Sequence, residues 1–146
     1  MKRISRIIAV VALTLLTTLY GCTKKKSIVG EWKGTDNTGR TMSLVFDKDK
    51  GVLMKSNGET MGGKDYMVNG HKLEIKYEMD ESKDPMWLDL VFYEDGKKSE
   101  GNSAKGIFKY LSDNKIEYRS SFANPQRFDK FDEADKDNTI MLERVQ

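Results

Sequence analysis

The sequence is poor in the residues that most often carry chemistry or cross-links: one cysteine, one histidine and two prolines in 146 residues. A single cysteine cannot form an internal disulfide. A single histidine, His71, cannot build a zinc site without further nitrogen or sulfur donors. Nor can it serve as a general base without a nucleophile and an orienting partner, and no G-x-S-x-G segment is present. His71 follows Asn69-Gly70 and is read as a turn-adjacent surface residue. There is no glycine-rich phosphate cradle and no dinucleotide fingerprint. No stretch has the apolar spacing of an amphipathic helix of normal length; the segment from Phe128 to Asp135 has room for a single turn. No repeat or low-complexity tract is visible, and Pro85 and Pro125 make no linker. These absences lead us to expect no enzyme, no cofactor and no metal site.

Basic charge is also scarcer than the whole-chain net of +2 implies. Of the 25 basic residues, Lys2, Arg3 and Arg6 stand at the extreme N-terminus and Lys24, Lys25 and Lys26 just beyond it. Residues 27–146 keep 19 against 23 acidic residues, a net of −4. A mildly acidic body excludes nucleic acid as the expected partner, because that function requires a basic patch.

The N-terminus has three zones. Met1 to Arg6 carries positive charge only, and Ile7 to Tyr20 is uncharged and rich in Ile, Val, Leu and Ala. That run is shorter than the roughly 20 apolar residues of a membrane span and fits the apolar core of a secretory signal. Leu19-Tyr20-Gly21-Cys22 follows, and it resembles a bacterial lipobox. The resemblance implies a lipoprotein signal peptide over residues 1–21, diacylglycerol on the Cys22 thiol, cleavage before Cys22 and acylation of the new amine. The alternative is a short transmembrane anchor with a buried cysteine. Residues 22–26 would be the lipidated cysteine and a basic tether, with the three lysines at headgroup level, each adding about 1 kcal/mol on an anionic surface. The expected partner is a membrane held through the N-terminal lipid. The expected place is the cell envelope, the outer membrane rather than the inner where both exist, because Thr23 carries no retention charge.

Beyond the tether, apolar residues recur with the two-residue beat of half-buried strands. Met42, Leu44 and Phe46 share one face of 40–46, the turn Asp47 to Gly51 follows, and Val52 to Lys55 returns. Asn69-Gly70 between two alternating runs is a hairpin signal, since both turn positions need φ > 0. Leu73, Ile75 and Tyr77 then share a face. Met86, Leu88, Leu90 and Phe92 are the inward set of the next strand, with Asp89 marking the other face. Lys105 to Leu111 and Lys115 to Phe122 form a hairpin around Ser112-Asp113-Asn114, and Thr139 to Val145 is the last strand. Eight or nine short strands with hairpin-length links predict an all-β antiparallel barrel or sandwich, with 27–146 as one domain.

The start of this domain, Gly30-Glu31-Trp32, and its end, Ile140-Met141-Leu142-Glu143-Arg144, together resemble the lipocalin-like domains of uncharacterised bacterial lipoproteins. The resemblance implies an up-and-down barrel of about eight strands. It also implies that Gly30 and Trp32 plug one end, with Arg144 laid over the indole. Seven methionines lie in the body, and methionine is a flexible gap-filler common at adaptable apolar surfaces. An eight-stranded barrel either fills itself or holds one small ligand. The candidate cavity residues are Met42, Leu44, Phe46, Leu73, Ile75, Tyr77, Leu88, Leu90 and Phe92.

Two functions follow as expectations. The first is a membrane-anchored barrel that binds a small apolar ligand or none. The second is a protein-interaction module, an envelope inhibitor or immunity-type factor with a filled barrel. Its candidate surface is the acidic loop from Phe128 to Asn138 with Phe122, Phe128 and Phe131. Asp129, Asp132, Glu133, Asp135 and Asp137 crowd that loop, as a solvated stretch or a weak calcium site. Asp47 to Gly51 starts like a calcium loop but lacks its later ligands.

Overall fold

A computed structural model of the chain describes residues 26–123, 126–134 and 136–146. The signal segment, Cys22 and most of the tether lie outside the described residues, as do Pro125 and Asp135. Ten strands and no helix are present among the described residues: β1 Gly30–Thr35, β2 Thr41–Phe46, β3 Gly51–Ser56, β4 Glu59–Gly62, β5 Met67–Val68, β6 His71–Asp80, β7 Met86–Glu94, β8 Lys97–Ser112, β9 Lys115–Ser121 and β10 Thr139–Arg144. The single helical turn expected near Phe128 is absent from the described part of that segment, which runs as bends and turns.

All pairings are antiparallel, and eight strands close into a barrel in the order β1, β2, β3, β6, β7, β8, β9, β10, back to β1. One closure is the pairing of β1 with β10, in register Trp32 to Arg144 and Lys33 to Glu143. The other is short: β3 meets β6 only at Gly51 with Lys76 and Val52 with Ile75. Beyond that point β3 pairs with β4 and β6 with β5, so these two extra strands fill a split in the wall.

Asn57-Gly58, Asn69-Gly70 and Asp95-Gly96 all have positive φ at both residues, so each makes the tight turn that matches strand twist. The hairpin signal at Asn69-Gly70 alone leaves out β4 and starts β8 at Lys105, whereas the Asn57-Gly58 turn leads into β4 and the Asp95-Gly96 turn starts β8 at Lys97.

Alternation turns Trp32, Leu44, Phe46, Val52, Ile75, Tyr77, Leu88, Leu90, Phe108, Ile116, Tyr118 and Leu142 into a single core. Among the described residues, every strand of the ring and every member of this core lies within 27–146. The strands start and stop so that the barrel has two unlike ends. One end carries the turns 47–50, 81–85 and 113–114 and the first and last described residues, Lys26 and Gln146. The other carries the loops 36–40, 57–58, 63–70, 95–96 and 122–138.

Candidate functional site

The end bearing Lys26 and Gln146 is packed shut. Trp32 is fully buried and its indole Nε1 donates to the Ile28 carbonyl at 2.6 Å. The Arg144 guanidinium lies 4.2 Å over the ring. Arg144 also donates to the Val29 carbonyl at 2.7 Å and the Ser27 carbonyl at 2.5 Å. Gly30 lies under the same guanidinium: a Cβ there would come within 2.7 Å of Nη1. Phe46 and Tyr77 meet edge to face at 5.3 Å, and Phe108 and Tyr110 at 5.4 Å, which fills the rest of this end. Half-burial pushes the Tyr110 phenol up to about 12.

The opposite end is open. One concavity there holds about 420 Å³, within the range of small-molecule sites. Met42, Met54, Ile140 and Phe122 give it apolar walls, with Tyr118, Ser120 and Ser56 among its polar groups. Three further hollows of about 350, 290 and 260 Å³ lie round the same rim. They share Met54, Ser56, Phe92, Asn102 and Phe122 with one another or with the first, so the mouth is one scalloped depression. Phe122 is 56 % exposed and leans edge-on against Phe92 at 5.8 Å between two of its lobes.

The rim is charged but internally compensated. Asp36 accepts from the Thr38 hydroxyl at 2.7 Å, from the Thr38 and Arg40 amides, and from Arg40 Nε at 2.8 Å. Its carboxyl falls to about 2, held down first by the Thr38 hydroxyl, against the opposing effect of desolvation, and then by the Arg40 amide and guanidinium and the Thr38 amide. Asn37 donates to Asp137 at 2.6 Å, tying the β1–β2 loop to the end of the β9–β10 connection. Across the mouth, His71 is exposed, with Nδ1 2.8 Å from Asp95 and 3.6 Å from Glu94. The hydrogen bond to Asp95 raises its pKa above the usual 6.5, helped by both negative charges.

The nine candidate cavity residues divide between these two environments. Met42 lines the concavity of about 420 Å³, and Leu73 and Phe92 line the adjoining hollows. Leu44, Phe46, Ile75, Tyr77, Leu88 and Leu90 point inward but are packed in the core and line none of the four concavities. The correction has a simple cause. Alternation reports which face a side chain takes, while filling depends on how many large side chains converge at one level of the barrel. Met54, Tyr118, Ser120 and Ile140, which complete the mouth, lie on expected strands whose inward face no local signal assigned.

The described part of the long β9–β10 connection packs two of its three aromatics, Phe128 and Phe131, against the barrel wall. It runs along the outer wall of β7, β8 and β9. Arg127 grips Asp89 with both guanidinium nitrogens, Nη2 at 2.8 Å, and donates to the Gly106 carbonyl at 2.6 Å. The same guanidinium stacks 4.2 Å over Trp87. Phe128 stacks on Arg119 at 4.2 Å and Phe131 on Lys109 at 4.4 Å, while Arg119 donates to the Lys130 carbonyl at 3.0 Å. Val91 and Ile107 are buried on this outward face, away from the interior core. Of the surface expected of an interaction module, Phe128 and Phe131 are half-buried against cations, Asp129, Glu133 and Asp137 are exposed, and Phe122 is exposed at the mouth beside Phe92. Among the described residues no group of three or more His, Cys, Asp or Glu is placed to hold a metal ion.

Comparison with protein-family models, with curated proteins and with solved structures gives no significant match. The functional reading therefore rests on the geometry.

Proposed function

We propose that this chain is a lipid-anchored envelope protein whose lipocalin-like barrel binds a small apolar or amphipathic molecule in its open end. The observation that carries the reading is the asymmetry of the barrel. One end is filled by Trp32, Phe46, Tyr77 and Phe108, while the other is an apolar-walled depression of about 420 Å³. A barrel that only needed stability would gain from filling both ends, since each unfilled volume forfeits packing. The interaction-module reading is weaker, because the connection meant to supply its surface is bound to the barrel wall.

The anchor adds a direction. Ser27 and Val29 are held at the plugged end by Arg144. Five residue steps separate Cys22 from Ser27, and an extended chain covers at most about 3.6 Å per residue. A lipid on Cys22 would therefore keep the plugged end within about 18 Å of its attachment. The mouth then faces away from that membrane, and the ligand arrives through the aqueous phase.

Native mass spectrometry of the mature protein from its own envelope tests the binding reading. A reproducible adduct that disappears on denaturation is expected; a bare mass from every preparation would favour a barrel without a ligand. Feeding cells a clickable fatty acid tests the anchor. The label should appear on the native chain and be lost in Cys22→Ser.

A further inference from the structure

Tyr118 is 2 % exposed, and its hydroxyl has no hydrogen-bond partner among the described residues, although it belongs to the wall of the mouth. The ring lies over Gly106 on the neighbouring strand, where any Cβ would collide with it. The Ser120 hydroxyl on the same strand face lies near enough to oppose part of the effect of burial on the phenol, but the two do not meet in hydrogen-bond geometry. Burial raises the phenol far above its usual value, so it remains a neutral donor at any physiological pH. A buried donor left unmade is costly, and the cost is recovered when an acceptor reaches it.

The surroundings limit what that acceptor can be. The charged side chains lining this part of the mouth are Asp36, Arg40 and Asp137, and each already has a partner at the rim. Behind Gly106, Asp89 and Arg127 lie within electrostatic range of the phenol, but they form a pair with each other. Deeper in, the walls are Met42, Met54 and Ile140. A carboxylate or ammonium carried down to Tyr118 would lose its water without gaining a counterion. An uncharged oxygen would lose little and gain the phenol proton as a hydrogen bond.

Building on the binding function above, we infer that the mouth selects a neutral amphipathic ligand: a slender apolar body against Met42, Met54 and Ile140, carrying a carbonyl, ether or hydroxyl oxygen that accepts from Tyr118. The tyrosine hydroxyl is then a specificity group whose unmet bond in the empty barrel is met by the ligand.

The test uses the barrel 27–146, the neutral dye N-phenyl-1-naphthylamine, and three competitors of equal chain length: 2-decanone, 1-decanol and decanoate. The ketone and the alcohol should displace the dye at concentrations at least tenfold below decanoate. Tyr118→Phe should weaken ketone binding about tenfold, leave dye uptake in place, and raise the melting temperature of the empty barrel. Equal or better displacement by decanoate overturns the ligand class. So does unchanged ketone binding in Tyr118→Phe, or a fall in its melting temperature, which would mark the hydroxyl as structural. Failure of the native barrel to take up any dye overturns the binding function itself, and this inference with it.

Discussion

Arg144 lies 4.2 Å over the face of Trp32, across the strand pair that closes the barrel, and its Cα is the register partner of the tryptophan's. One contact therefore joins the first and last strands, caps the core and pins the segment before β1 through Ser27 and Val29. Trp32→Ala removes the largest buried side chain and should cost about 3–5 kcal/mol. Arg144→Ala loses the stacking and two carbonyl bonds and should cost about 1–3 kcal/mol. Urea denaturation of both variants checks the ranking; an Arg144 variant as damaging as the Trp32 variant would mean the guanidinium carries the plug.

The strap from 122 to 138 should depend on Arg127. Arg127 and Asp89 are only 17 % and 16 % exposed, and removing one partner leaves the other mostly buried without its counterion. Arg127→Ala should cost about 3 kcal/mol and open the strap to limited proteolysis before the barrel unfolds. The double variant Asp89→Ala/Arg127→Ala should lose less than the sum of its single losses. Simple additivity in that cycle would mean the pair contributes nothing of its own.

The two charged clusters on the rim should respond to pH with opposite signs. His71 has a folded pKa raised by Asp95, so its contribution to stability is full below 6.5 and is lost as pH rises through the folded value. Asp36 has a folded pKa lowered to about 2 from 3.8, so its contribution is full above 3.8 and is lost as pH falls through about 2. Because the chain has one histidine, the imidazole proton signals report His71 alone. Their midpoint should lie above 6.5 and move down in Asp95→Asn. Asp36→Asn should remove part of the acid-side loss of stability and leave the His71 midpoint unchanged.

The direction of the mouth can be read with single-cysteine labels, since acylation would block Cys22. Lys48→Cys marks the plugged end and Glu100→Cys the open rim, both at exposed positions. On vesicles carrying nitroxide headgroups, a fluorophore at position 48 should be quenched and one at position 100 should not. Equal quenching, or the reverse, would sink the proposed orientation. Acyl labelling of the same preparations separates that result from failure of the anchor.

Much of the ring was legible in the residues themselves. Met42, Leu44 and Phe46, or Leu73, Ile75 and Tyr77, announce a face because side-chain direction in a strand alternates strictly. Asn69-Gly70 announces a turn because φ > 0 is intrinsic to those residues. These are local properties of backbone and side chain, and most of the ring's strands, their antiparallel hairpins and their inward faces follow from them, while β4 and the first half of β8 do not.

What the tertiary structure alone decided is where the interior is full and where it is open. Leu88 and Phe92 read alike in the chain, yet Leu88 is sealed in the core and Phe92 borders the mouth, because each belongs to a different level of the barrel. Asp89 and Arg127, 38 residues apart, become a clasp only when the wall curves to bring the connection alongside. The Tyr118 hydroxyl looks like that of any inward tyrosine until the positions of Gly106 and Ser120 show that its bond is unmet. Alternation is a one-dimensional signal, whereas packing and polar satisfaction depend on which distant side chains arrive at the same point.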